Sequence, residues 1–279
     1  MIEIKDLTKQ FGDFVAVDHL NLTINTGEFF GLLGPNGAGK TTTISMISTV
    51  LLPNSGQVLV DGIPLTRKAS KIKHKISVIT QEYSLRLDMT CDEVMEYQGR
   101  LYYMPIKEIR KKTDELFEFV GLTDYRERVV RNLSGGWKRR LMICRALLTE
   151  PDIILLDEPT AGMDAFARRQ TWGILKELQK RNITIILTTH YMEEAEALCD
   201  RVALIDSGKL SYIDTPRGLI DDLGKFAVDE VVDGKMESTF FSDRQAAIDY
   251  LTDHENAAMR NTTLEDVFIQ RIGKVLMKK

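Results

Sequence analysis

The stretch "FFGLLGPNGAGKTTT" (29–43) constrains the fold more than any other part of this 279-residue chain. It contains G-x-x-x-x-G-K-T from Gly34 to Thr41, set between an unbroken apolar run and a segment of helical period. Glycine has no Cβ, so such a loop can turn successive backbone N–H groups inward around an anion. A strand before the loop and a helix after it are what a phosphate-binding loop requires, and the helix adds its positive dipole end. The pattern predicts that Gly34, Pro35, Asn36, Gly37, Ala38 and Gly39 wrap the phosphates of a nucleotide. Lys40 would reach the β- and γ-phosphates, the Thr41 hydroxyl would hold Mg²⁺, and Thr42 would sit near the α-phosphate. The plain alternative, a surface glycine turn, explains neither the buried strand nor the helix that flank it.

Two more unbroken apolar runs, "IILLD" (153–157) and "ITIILTTH" (183–190), suit strands of a parallel sheet covered on both faces. Helix-period segments over 40–52, 164–181 and 191–199 follow these runs, and strand followed by helix, repeated, means α/β. The fold class expected is therefore an α/β P-loop NTPase core. The opening "MIEIKDLT" and "VAVDHLNLTI" alternate at period two and predict an antiparallel β subdomain. Residues 90–149 are mostly of helical period and read as a helical lobe inserted into the core. Beyond "VALIDSGKLSYIDTP" (202–216) the strong pattern fades. A small α/β appendage is expected there, with strands "FAVDEVV" and "KMESTFF" and a helix over 243–252. The division is a nucleotide-binding domain over 1–222 and an accessory region over 223–279.

The second run ends in two consecutive carboxylates. Successive strand residues point to opposite faces, so Asp157 and Glu158 cannot do the same job. Asp157 suits the Mg²⁺ shell, and Glu158 suits the base that polarises an attacking water. Acids also end strands merely for solubility, but these two share a chain with a phosphate loop. His190 closes the third run on the same edge of the sheet, where ligands of open α/β sheets gather. Its imidazole could bond the γ-phosphate or the attacking water, whereas His19, His74 and His254 read as structural.

Composition excludes several classes. A net charge of −4 gives no global pull toward nucleic acid or anionic lipid. Three widely spaced cysteines without a C-x-x-C pair read as reduced core thiols, not a disulfide framework or a metal site. No apolar run reaches the roughly 18 residues of a membrane span, and the charged start lacks the apolar core of a signal peptide. A membrane role would have to come through a partner, which gives a cytoplasmic location.

"GPNGAGKT", Gln81 in "VITQEYS", "LSGG" (133–136), "IILLDEPT", "AGMD" and "TTH" stand in an order and spacing that resembles the ATP-binding subunits of the ATP-binding-cassette superfamily. The resemblance spans about residues 1–216 and implies Mg²⁺-dependent ATP hydrolysis. Phe11 in "KQFGDF" matches the aromatic that stacks on adenine; phenylalanine offers the π face without a hydroxyl, and a core role is its alternative. Gln81 matches the residue that touches Mg²⁺ and water and senses the transport partner. Ser134, Gly135 and Gly136 match the element that binds the γ-phosphate of ATP held by a second subunit, and Asp164 matches a loop that crosses the seam between subunits. The implied partners are a second ATP-binding chain, a homodimer being the expected form, and a polytopic membrane permease subunit, with no nucleic acid.

Several details resemble the drug- and lipid-exporting branch: "TTHYMEEAEALCDRVALIDSGK", "KRRLMICRALL" and "NTTLEDVFIQ" (261–270). A non-transport cassette ATPase, such as an iron–sulfur-assembly scaffold subunit, is the alternative. Tyr83, Tyr97, Tyr102 and Tyr103 lie where the family receives a cytoplasmic helix of the membrane partner, though each could equally pack the helical lobe. Trp137 departs from the glutamine that most of the superfamily places after the two glycines. It could pack on the partner's nucleotide or brace the helix start. Lys138, Arg139 and Arg140 read as a solvated or seam-facing helix turn.

Overall fold

The computed structural model describes residues 1–254 and 256–273. The chain opens with a hairpin, β1 (Ile2–Phe11) and β2 (Phe14–Ile24), then enters β3 (Phe29–Leu33), the glycine loop and α1 (Lys40–Ile47). Strands β4 (Ser55–Val60) and β5 (Ile63–Pro64) return to the hairpin and complete an antiparallel sheet of order β2-β1-β4-β5. A short α2 (Ser70–Lys73) leads into β6 (Ile76–Ile79). Between β6 and β7 (Ile153–Asp157) come α3 (Cys91–Leu101), α4 (Ile106–Val120) and α5 (Gly135–Leu147), so the helical lobe is an insertion, as its sequence period implied. Then α6 (Ala165–Lys180), β8 (Thr184–Thr189), α7 (Met192–Leu198) and the hairpin β9 (Arg201–Asp206) and β10 (Lys209–Asp214) complete a six-stranded sheet. Its order is β10-β9-β3-β8-β7-β6, parallel except for the edge strand β10.

The unbroken apolar runs exist because this sheet separates two cores. Phe29, Leu33, Ile154, Leu156, Ile185 and Leu187 face the helical lobe, α6 and α7. Phe30, Leu32, Ile153, Leu155 and Ile186 face α1 and the antiparallel sheet. Alternate residues of one strand therefore enter different cores, and neither face can be polar. Gly31 on the lobe side is a point of close approach: a Cβ there would lie 2.8 Å from the Cys199 Sγ and 3.0 Å from Val202 Cγ1. All three cysteines are buried free thiols, as expected of core residues.

Two features differ from the sequence reading. Helix α1 stops at Ile47, not at residue 52. Thr49 takes a left-handed φ of 61°, and Pro53 disfavours the helical conformation for the residue before it. The C-terminal segment also carries more structure than its pattern revealed. After α8 (Pro216–Leu223) come β11 (Phe226–Val232), β12 (Lys235–Phe241), α9 (Arg244–Thr252), β13 (Ala258–Asn261) and α10 (Leu264–Phe268). The strands form a sheet of order β12-β11-β13, whose third member is only four residues long and shows no alternation. Helix α10 returns to the main body: Leu264 and Val267 join the lobe-side core, and the Leu264 N–H donates to Glu196 of α7 at 3.1 Å. Arg260 ties this unit together through Asp229 and Asp266, each at 2.6 Å. Residues 274–279 of the expected accessory region lie outside the described residues.

Leu187 is fully buried at the centre of the lobe-side core. Leu187→Ala should lower the unfolding free energy by about 2–5 kcal/mol, measured by urea denaturation of the full chain.

Candidate functional site

The glycine loop runs from the end of β3 to the first turn of α1, as the sequence required. Gly39 stands just before α1 with φ 101°, and a Cβ on it would meet the Ala16 carbonyl at 2.3 Å. Only glycine satisfies both conditions. The loop is anchored from outside: the Gly208 N–H donates to the Ala38 carbonyl at 3.1 Å, and the Asp18 N–H donates to the Gly208 carbonyl at 2.9 Å. Lys40 lies under the loop and donates from Nζ to the carbonyls of Gly34 at 2.9 Å and Pro35 at 3.1 Å. Burial pushes its pKa below the ordinary lysine value, while the carboxylates of Glu158 and Asp157 work in the opposite direction.

The two carboxylates are separated as strand geometry demanded. Asp157, still in β7, turns toward α1, where its Oδ1 accepts from the Thr41 hydroxyl at 3.2 Å and from the Thr188 hydroxyl. Glu158 takes a left-handed φ of 46°, uncommon for a residue with a long side chain. Its N–H donates to the Thr188 carbonyl of the neighbouring strand at 3.0 Å. The turn re-aims the side chain so that Oε1 stands 3.2 Å from His190 Nδ1, at the ends of two adjacent strands. Thr41 and the Asp157 carboxylate it touches supply one neutral and one anionic hard oxygen, and Thr41 and Gln81 line one cleft. That donor set suits Mg²⁺, which takes few protein oxygens and completes its shell with water and phosphate. Among the described residues no cluster of three or more His, Cys, Asp or Glu could cage a metal on its own.

A cleft of about 510 Å³ joins these groups. Asn36, Gly37, Gly39, Lys40, Thr41 and Thr42 form its floor, Gln81, Glu158 and His190 one wall, and Phe11, Phe14 and Ala16 the other. Phe11 and Phe14 face each other across the tight β1–β2 turn, both exposed. Phe11 is thus a wall of the site and not a core residue. Phe14 escaped the sequence reading, although a second aromatic just beyond the Gly12–Asp13 turn was the available signal.

Ser134, Gly135, Gly136 and Asp164 lie elsewhere. They line a separate cleft of about 430 Å³ with Tyr83, Trp137 and Phe166, and this cleft shares no lining residue with the first. Ser134 is the N-cap of α5 without a side-chain capping bond, so its hydroxyl does not satisfy the helix's own N–H groups. Asp164 caps α6, accepting from the Ala167 N–H at 2.8 Å. The glycine loop and the Ser134–Gly136 element therefore border different clefts of one molecule.

A family model described as ABC transporter matches residues 17–161. The chain belongs to that family. Over 257 residues it is 39% identical to the probable multidrug ABC transporter ATP-binding protein YbhF of Escherichia coli, covering 92% of this chain but 43% of that protein. The Nod factor export ATP-binding protein I of Cupriavidus metallidurans is 35% identical, with 98% of each chain covered. The linearmycin resistance ATP-binding protein LnrL of Bacillus subtilis is 39% identical over 80% of this chain and 72% of its own length. Among solved structures, cbiO1 of Clostridium perfringens, part of the ABC transporter complex cbiONQ, matches with a TM-score of 0.73 and 28% identity over 78% of this chain and 89% of that one. A dimeric ATP-binding cassette in a post-hydrolysis state bound to ADP and Pi matches with a TM-score of 0.69 and 28% identity, covering 77% and 98% of the two chains.

Two expectations concern the "LSGG" element of this ABC cassette. Trp137 stacks on Tyr125 with ring centroids 4.3 Å apart and is covered by the Arg140 guanidinium at 4.5 Å, while it also borders the Ser134 cleft. The expected solvated or seam-facing turn at Lys138–Arg140 is corrected at Arg139, which is buried and directed at the carbonyls of Thr80 and Gln81. Burial pushes the pKa of both Arg139 and Arg140 below the ordinary arginine value.

Gly39→Ala should weaken binding of a fluorescent ATP analogue by about tenfold or more, because a Cβ strains the loop at that φ. Gly62→Ala, at a position that is also left-handed (φ 75°) but open and outside the cleft's lining, should leave affinity unchanged.

Proposed function

We propose that this chain is the ATP-binding and ATP-hydrolysing subunit of an exporter-type ABC transporter, acting as a head-to-tail dimer beneath a separate membrane permease. One observation carries the reading: a complete phosphate loop and a second anion-suited helix start occupy different clefts of one chain. Two chains related head to tail would place the Ser134–Gly136 element of each over the phosphate loop of the other, closing two equivalent sites. A helix N-terminus with unspent N–H groups is suited to a γ-phosphate. The names of the relatives, which concern multidrug, Nod factor and linearmycin export or resistance, favour transport over the scaffold alternative.

In this reading Gly34–Gly39 and Thr42 hold the phosphates, Lys40 moves from the loop carbonyls to the β- and γ-phosphate oxygens, and Phe11 and Phe14 flank the base. Thr41, Asp157 and Gln81 hold Mg²⁺, which supplies positive charge beside the phosphates. Glu158 accepts a hydrogen bond from the attacking water and aligns it with the γ-phosphorus. His190, 3.2 Å from Glu158, holds that carboxylate in place and faces the γ-phosphate. Asp164 borders the Ser134 cleft and would meet the other subunit there.

Among the described residues no helix is long and apolar enough to cross a membrane, so attachment to a membrane would run through the permease. A face suited to that contact carries Arg67, Lys68, Lys71 and Lys73, with no acidic residue from Gly62 to Gln81. Beside it stand the exposed Leu101, Tyr102 and Tyr103, the last 96% accessible. Residues 1–222 would form the nucleotide-binding domain and 223–279 its accessory region.

Glu158→Gln should reduce ATP turnover by about a thousandfold while ATP binding persists and a dimer accumulates on gel filtration with Mg-ATP. Turnover at the parental rate would remove Glu158 as the base. Composite sites predict a second result. Ser134→Arg chains and Lys40→Ala chains, each inactive alone, should regain activity when mixed, because the mixed dimer holds one intact site and one doubly damaged site. A mixture that dimerises and stays inactive would count against shared sites.

A further inference from the structure

The segment after β6 carries Gln81 into the first cleft and Tyr83 into the second, yet the β6–β7 ladder ends at Ile79. Helix α5 is what holds it. Arg139, only 1% exposed, donates from Nη1 to the Thr80 carbonyl at 2.7 Å and from Nη2 to the Gln81 carbonyl at 2.9 Å. Farther along the same helix, Arg145 donates to the carbonyl of Ser84 and, at 2.8 Å, to its hydroxyl. The Tyr83 ring lies 5.4 Å from the Arg139 guanidinium, and its hydroxyl is 2.8 Å from where a Cβ on Gly135 would be. Residues 80–84 are thus fastened along α5 at two points, Arg139 in its second turn and Arg145 in its last.

Burying a guanidinium is a costly way to fill space, and an apolar side chain would normally serve stability better. Arg139 even leaves its Nε without a hydrogen-bond partner among the described residues. What the planar fork supplies is geometry: two donors at fixed spacing reach two consecutive carbonyls, which a lysine point charge cannot do. The carbonyl of Gln81 is one of the two. Its height and tilt against α5, and so the place of its side-chain amide in the first cleft, follow Arg139.

We propose that Arg139 is a positioning residue for Gln81, linking the start of α5 in one cleft to the Gln81 amide in the other. A movement of α5 when its N-terminus meets an anion is then transmitted to Gln81 through a two-pronged contact instead of through a flexible loop. Each chain's own hydrolytic site would respond to what its Ser134 cleft holds. This rests on the nucleotide reading of both clefts given above.

The test compares Arg139→Met, Arg139→Lys and Gln81→Ala, together with the double variants, in the full chain. Arg139→Met should lower the kcat for ATP hydrolysis about ten- to a hundredfold while the KM for ATP moves less than about twofold. Arg139→Lys should fall between it and the parent. Adding Gln81→Ala to Arg139→Met should cost little more, since both remove one function. Hydrogen–deuterium exchange of residues 80–84 should rise in Arg139→Met and lose its response to Mg-ATP, whereas in the parent it falls together with that of residues 134–139. If Arg139→Met does not fold, the same kcat, double-variant and exchange measurements on Arg139→Lys decide. A parental kcat, or full additivity with Gln81→Ala, overturns the positioning role. A parent that binds no ATP overturns the nucleotide reading itself, so the two failures are distinct.

Discussion

Thr188, one residue before the end of β8, is the point on which the chemistry of this fold depends. Its hydroxyl donates to the Asp157 carboxylate, and its carbonyl accepts the Glu158 N–H. The parallel ladder between β7 and β8 pairs Asp157 with Thr188, so the end of one strand fixes two acids at once. Asp157 is held against Thr41 on one side, and Glu158 is turned left-handed toward His190 on the other. Two adjacent carboxylates acquire separate surroundings because the strand ends there and not one residue later.

The surroundings keep those ends in place. The glycine loop is tied to the β9–β10 turn, which is tied in turn to the antiparallel sheet by Asp18. The loop's outer support therefore comes from the subdomain that also presents Phe11 and Phe14. On the opposite face the insertion between β6 and β7 carries the Ser134 helix and grips residues 80–84 through arginines. The C-terminal unit adds a third attachment, since α10 sits on α7, the helix that follows His190.

What was legible in the sequence was what depends on local backbone chemistry. The glycine spacing, the adjacent carboxylates after an apolar run and the histidine at a strand end announce themselves, because each requirement falls within a few residues. Arg139 was not legible. In "WKRRL" three basic residues stand together, and which one turns inward is decided by the carbonyls of residues 80 and 81, nearly sixty positions away. Trp137 likewise needed Tyr125 before its place could be known. Strand β13 was hidden for another reason: four residues are too few for alternation to register, and its pairing with β11 supplies the order.

The two-sided burial of the central sheet has a consequence for β3. A strand with one wet face is held in register by polarity, because a slip of one residue exposes its apolar side. With all five residues buried, β3 lacks that safeguard, and either face would accept Phe or Leu on grounds of polarity alone. Shape has to serve instead. At Gly31 the residue that ends α7, Cys199, and Val202 of the neighbouring strand β9 stand so close that only a hydrogen fits beneath them. A slip by one residue would drive Phe30 or Leu32 into that contact, so a missing side chain acts as the key that sets the strand's alignment, and with it the start of the phosphate loop.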